Sequence, residues 1–120
     1  MNILLVEDNQ ILGEALRDHM LASGHMVDWQ TSFADGLRAS QIAGHDLVLL
    51  DLRLPDGDGL FILRAIRRSQ RILPIIILTA YDRLSDLIEG LTSGANDYLV
   101  KPFNLSDLVD RVERVVTHLA

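Results

Sequence analysis

The chain has 120 residues, 48% of them hydrophobic, which suits a single globular domain with a substantial core. The 17 Asp and Glu outnumber the 11 Lys and Arg to give a formal net charge of -6, which opposes direct attraction to nucleic acid, and the lack of cysteine excludes disulfides and thiolate chemistry. Carboxylates follow Ile3-Leu4-Leu5-Val6 at once, unlike a signal peptide, and no apolar run reaches membrane-spanning length, so a cytoplasmic domain without a membrane partner is expected.

Ile3 to Val6 is a short aliphatic run, the pattern of a strand covered on both faces. Leu12, Ala15, Leu16 and Met20 then recur at helical spacing. Val27 to Thr31 reads as a more polar strand near a sheet edge. Ser32 and Asp35 resemble a capping box with a shortened acid, which starts a second helix near Phe33. Leu47 to Leu50 is a second buried strand, and Leu60, Leu63, Ile66 and Arg67 mark a helix with one apolar edge. Ile75 to Leu78 is a third buried run. Leu84, Leu87, Ile88 and Leu91 form an apolar series on a fourth helix, read first as a buried stripe and alternatively, through Leu87, as an exposed apolar contact. The helix is ended by the turn-rich Gly94-Ala95-Asn96-Asp97. Tyr98 to Val100 gives the last strand. Leu105, Leu108, Val109, Val112, Val116 and Leu119 stripe a final helix that Asn104 or Ser106 can cap. Arg64, Arg67, Arg68 and Arg71 form a basic edge read as a solvated helix face, and the scattered His19, His25, His45 and His118 read as surface positions.

Five strands alternating with five helices predict an α/β, doubly wound, parallel sheet with right-handed crossovers. Sites in such sheets lie beyond the carboxyl ends of the strands, at a topological switch point. Those ends carry Glu7-Asp8-Asn9, Asp51, Thr79-Ala80 and Lys101-Pro102. An ionised Asp51 ending a dry strand needs a cation, a metal or hydrogen bonds, and Glu7, Asp8 and Asp51 together raise one another's pKa. Three acids without histidine suit Mg²⁺ better than Zn²⁺. Singly, each residue has a structural explanation: Asp8 or Asn9 caps the first helix, and Asp51 caps a turn before Pro55. Together with Lys101 and Thr79 they form a constellation suited to phosphoryl transfer.

From Asn2 to Leu119 the sequence resembles the receiver family of two-component response regulators, through Ile-Leu-Leu-Val-Glu-Asp-Asn, Asp51-Leu-Arg-Leu-Pro55-Asp-Gly-Asp58-Gly59, Leu78-Thr79-Ala80 and Asp97-Tyr98-Leu99-Val100-Lys101-Pro102-Phe103. The resemblance implies a flavodoxin-like (CheY-like) fold with strand order 2-1-3-4-5, in one domain over residues 1–120. It implies a phosphoacceptor signalling domain rather than an enzyme: Asp51 takes a phosphoryl group from a sensor histidine kinase, and Thr79 and Lys101 assist. Mg²⁺ would sit on Glu7, Asp8, Asp51 and the backbone carbonyl of Arg53. Most members have two aspartates where this chain has Glu7-Asp8. Thr79 and Tyr98 would form the switch, and the Lys101-Pro102 bond would be cis.

The likeness is greatest to the OmpR/PhoB subfamily, whose receivers dimerise on phosphorylation through helix four, strand five and helix five. Leu87, Asp97 and Arg111 fall on that dimer face, although Leu87 and Glu113 stand where basic residues are usual. DNA would be reached only through an output domain outside this chain. Arg53 and Tyr81, each two positions past a site residue, would screen the phosphoryl group from water. Competing readings are a stand-alone receiver acting by protein binding and a Mg²⁺-dependent phosphohydrolase of the haloacid-dehalogenase kind. The phosphohydrolase wants a second acid where Arg53 stands.

Overall fold

The computed structural model describes residues 1–69, 72–80 and 83–119, with side chains through residue 117. In chain order the first half contains β1 (Asn2–Val6), α1 (Gln10–Ala22), β2 (Met26–Gln30), α2 (Phe33–Ser40) and β3 (Leu47–Asp51). The second half contains β4 (Arg53–Leu54), β5 (Gly57–Asp58), α3 (Gly59–Ser69), β6 (Ile75–Ala80), α4 (Leu84–Thr92), β7 (Asp97–Lys101) and α5 (Leu105–Leu119). The long strands form one parallel sheet in the order β2-β1-β3-β6-β7. This is the expected 2-1-3-4-5 order, with one unforeseen addition: β4 and β5 pair as a small antiparallel hairpin after Asp51.

Alternation along the strands divides the core between two faces. Leu4, Val6, Val48, Leu50, Ile75 and Ile77 point to one side, against Ala39 of α2 and Leu60, Leu63 and Ile66 of α3. Ile3, Leu5, Leu47, Leu49, Ile76 and Leu78 point to the other, against Leu16 and Met20 of α1 and Leu108, Val112 and Val115 of α5. With both faces covered, β3 is buried throughout and β2 occupies a sheet edge.

The caps follow from side-chain oxygens at the helix starts. Asn9 accepts from the Leu12 N–H at 2.9 Å, Ser32 from Asp35 at 3.1 Å, and Asn104 from Asp107 at 3.0 Å. Asp35 turns to Arg38 at 3.0 Å, so the reciprocal arm of a capping box is not used. Asp56 in the hairpin accepts the Phe33 and Ala34 N–H groups at 2.7 and 3.1 Å, which ties β4–β5 to the start of α2. These bonds hold the Asp56 carboxyl below its ordinary pKa.

Several expectations need correction. The apolar series on α4 is not a buried stripe: Leu84 is 65% exposed and Ile88 56%, while Asp86 and Gly90 face inward. A Cβ on Gly90 would stand 2.1 Å from Cδ1 of Ile77, so α4 approaches β6 through its glycine. Arg67 is not solvated either. Its guanidinium donates to the carbonyls of Gly94 and Leu73 and to Asn96 Oδ1, at 2.6–2.9 Å, and clamps α3 to the turn after α4. That turn is reversed by Gly94 at φ 116°. The described histidine side chains are half-buried; His25 lies 2.8 Å from the Met1 amine and His45 3.2 Å from Asp28. Arg71, Tyr81 and the side chains of His118 and Leu119 lie outside the described residues.

Candidate functional site

The predicted site residues converge at one sheet edge because of register. Val6 pairs with Leu50, Asp51 with Leu78, Thr79 with Val100 and Ala80 with Lys101, so the chain leaves each strand at nearly the same height. The switch point falls between β1 and β3, where the order reverses. Glu7 and Asp51 are buried and Asp8 faces solvent, and ligand oxygens from all three lie within 4.8 Å of one another.

Lys101 supplies the compensating charge. Its ammonium stands 2.6 Å from Glu7 Oε1 and 3.1 Å from Asp51 Oδ2. Burial pushes the ammonium pKa down, but hydrogen bonding and attraction to Glu7, with attraction to Asp51, outweigh this and raise it. Glu7 moves the other way from an ordinary surface acid. Desolvation, then repulsion from Asp51, lifts its pKa from 4.5 to about 7 despite Lys101.

Asp51 Oδ1 accepts the Arg53 amide at 3.0 Å, so the turn-capping role exists alongside the pocket role. The Arg53 backbone thereby lies at the rim of the acidic group. Gly59 lets α3 begin there: a Cβ on it would stand 2.4 Å from the Asp51 carbonyl oxygen and 2.8 Å from Leu52 Cα. Thr79 is buried, and among the described residues its hydroxyl reaches the Ala80 carbonyl at 3.5 Å, the outer limit of a hydrogen bond. The Lys101-Pro102 bond is cis.

Beside this edge, Thr79, Ala80, Arg83, Leu84, Leu87, Tyr98 and Val100 line a cleft of about 480 Å³. Tyr98 is half-buried under the Arg111 guanidinium, 5.3 Å from its ring centroid. Asp97 and Arg111 pair within the chain at 2.8 Å, and Arg114 adds a longer contact to Asp97 at 3.7 Å. Glu113 lies on the other side of α5, in a groove with Met20, Ser23 and His25 of the α1 end.

Asp86 escaped the sequence reading. It is buried in α4 and takes Nε and Nη2 of Arg53 at 2.6 and 3.2 Å, so the side chain after the acidic strand end is held by a helix 33 residues on. An acid inside an apolar helical series was the only available signal. The bridge also bears on the phosphohydrolase alternative, since the position that needs an acid holds a cation engaged with Asp86.

A family model for the response regulator receiver domain matches residues 3–113. The chain belongs to the response regulator receiver family. The swarming motility regulation protein RssB of Serratia marcescens is 49% identical over 120 residues, covering 100% of this chain and 55% of that protein. The transcriptional regulatory protein QseB of Haemophilus influenzae is 41% identical over 116 residues, covering 97% of this chain and 52% of that one. Among solved structures, the non-phosphorylated HemR receiver domain from Leptospira biflexa superposes with a TM-score of 0.89 at 36% identity, over 96% of this chain and 93% of that one. The receiver spans about half the length of the curated relatives it matches. It is the receiver domain of a two-component response regulator, most like the OmpR/PhoB type, and its acidic pocket can hold a divalent metal. Among the described residues no helix is long and apolar enough to cross a membrane.

Proposed function

We propose that this receiver takes a phosphoryl group onto Asp51 from the phosphohistidine of a sensor histidine kinase, and that the event is read out on the face formed by α4, β7 and α5. The observation that carries the proposal is the ammonium of Lys101 bridging Glu7 and Asp51 inside a cluster of three carboxylates. Glu7 Oε1 is buried against the Lys101 ammonium at 2.6 Å, with Asp51 beside it, and Asp8 presents hard oxygens to solvent, so the donor set fits Mg²⁺. Glu7, Asp8, Asp51 and the Arg53 carbonyl would hold the ion, whose chemistry is to neutralise charge on phosphoryl oxygens.

An Asp51 carboxylate oxygen attacks phosphorus, the P–N bond breaks, and the leaving imidazole takes up a proton while an acyl phosphate forms. Lys101 stays beside Asp51 Oδ2 and offsets the charge of the incoming oxygens. Thr79, whose hydroxyl among the described residues makes a long 3.5 Å contact to the Ala80 carbonyl, turns to a phosphoryl oxygen. The cleft next to it gives Tyr98 room to follow.

On the output face the Asp97–Arg111 pair closes within the monomer, and Leu84 and Ile88 stand exposed beside it. Phosphorylation that moves Tyr98 out from under Arg111 frees that guanidinium to pair across a homodimer, with Leu87 and its neighbours covered. A DNA-binding output domain outside this chain would then act as a pair; the names of several relatives as transcriptional regulatory proteins, and the half-length match, support this reading. The test is addition of a small acyl phosphate with Mg²⁺: a gain of one phosphoryl mass, removed by hydroxylamine, and a doubled mass by light scattering are expected. No mass gain would reject the phosphoacceptor role, and an unchanged monomer would reject the dimer.

A further inference from the structure

The backbone of the acidic pair is anchored by a residue that no part of the phosphoryl-transfer scheme uses. The parallel ladder between β1 and β2 runs from Asn2 to Val6 and ends with the Glu7 N–H on the Gln30 carbonyl at 3.0 Å. One step further on, the Glu7 carbonyl receives a side-chain donor: the indole N–H of Trp29, at 2.9 Å. That carbonyl belongs to the peptide joining Glu7 to Asp8. Because a peptide is planar, holding its oxygen in place also sets where the Asp8 N and Cα stand, and so the point from which the Asp8 side chain leaves the backbone.

The seat of the indole is specific. Trp29 is the single tryptophan of the chain, and its ring lies against Gly13 of α1, where a Cβ would stand 2.1 Å from Cζ2 and 2.8 Å from Nε1. A mid-helix glycine costs roughly 1 kcal/mol relative to alanine, so space for the ring is what Gly13 provides in exchange. The Arg17 guanidinium, one turn on, sits 5.3 Å from the ring centroid. Glu7 itself is held at its other groups by the Asn9 N–H on Oε2 at 3.2 Å and by Lys101 on Oε1. Asp8, by contrast, faces solvent, and the Glu7–Asp8 peptide sets where its backbone starts.

We propose that Trp29 is a positioning residue for the acidic pocket: its indole N–H orients the Glu7–Asp8 peptide, and so sets how tightly the pocket holds a divalent cation. This rests on the Mg²⁺ reading above. Groups that orient metal ligands through a hydrogen bond change metal affinity by about tenfold or more when removed.

The test compares the wild-type receiver with Trp29→Phe and Arg17→Ala by calorimetric titration with Mg²⁺, alongside urea unfolding in EDTA. Trp29→Phe keeps an aromatic ring and removes the donor, and its Mg²⁺ dissociation constant should rise about tenfold. Arg17→Ala removes the stacked cation but leaves the N–H, and its dissociation constant should stay within about twofold. Benzothienylalanine in place of Trp29 keeps the shape of the indole without the N–H and should reproduce the weakening if the phenylalanine substitution does not fold. A donor-free variant that unfolds more easily yet binds Mg²⁺ as the wild type does would reduce Trp29 to packing and overturn the inference alone. A wild-type receiver that binds no Mg²⁺ would overturn the metal reading, and the inference with it.

Discussion

Replacing Glu7 with glutamine isolates the electrostatic cost of the pocket. Glu7 is wholly buried, and its pKa lies near 7 instead of 4.5 because of desolvation and the proximity of Asp51. The folded receiver therefore binds a proton here more tightly than the unfolded chain does. This contribution to stability is complete below pH 4.5 and is lost as the pH rises through about 7. At about 1.4 kcal/mol per pH decade, the span corresponds to at most roughly 3 kcal/mol at pH 8, less whatever the Lys101 pairing loses in the variant. Urea unfolding of wild type and Glu7→Gln in EDTA, at pH 5 and pH 8, measures it. The wild type should lose roughly 2–3 kcal/mol relative to the variant between the two pH values, and Glu7→Gln should be the more stable protein at pH 8. Millimolar Mg²⁺ should restore the wild type at pH 8 and do little for the variant, since a ligand that binds only the folded state stabilises by mass action. Equal pH dependence in both proteins, or a variant less stable at pH 8, would refute the account of Glu7 as a strained acid awaiting a cation.

Lys101→Met should lower labelling of Asp51 by acyl phosphate by about a hundredfold, measured as initial rate at saturating Mg²⁺, because the charge beside Asp51 Oδ2 is lost. Arg53→Ala should destabilise by about 2 kcal/mol in urea, since buried Asp86 loses its bidentate partner; a change under about 0.5 kcal/mol would mean the bridge is idle. Gly59→Ala should cost roughly 1–3 kcal/mol and slow labelling as well, because the new methyl meets backbone at Asp51 and Leu52 rather than a yielding side chain.

The central strands were legible because burial on both faces leaves continuous aliphatic runs such as Leu47 to Leu50. The carboxylates, Thr79 and Lys101 were legible because each ends a strand, and parallel strands deliver their ends to one edge. The hairpin was not, since two-residue strands carry no periodicity. The orientation of α4 misled for a physical reason. Its inward positions are Asp86, neutralised by Arg53, and Gly90, pressed on Ile77, so its hydrophobic residues mark the exposed side. The links from Trp29 to Glu7 and from Arg67 to Gly94 span 22 and 27 residues and depend on packing that local pattern does not encode.

The most direct test of the central claim is intact mass after incubation with a small acyl phosphate, comparing wild type with Asp51→Asn, with and without Mg²⁺. The account predicts one added phosphoryl group on the wild type only, and only with Mg²⁺. Equal labelling of the two proteins would contradict it.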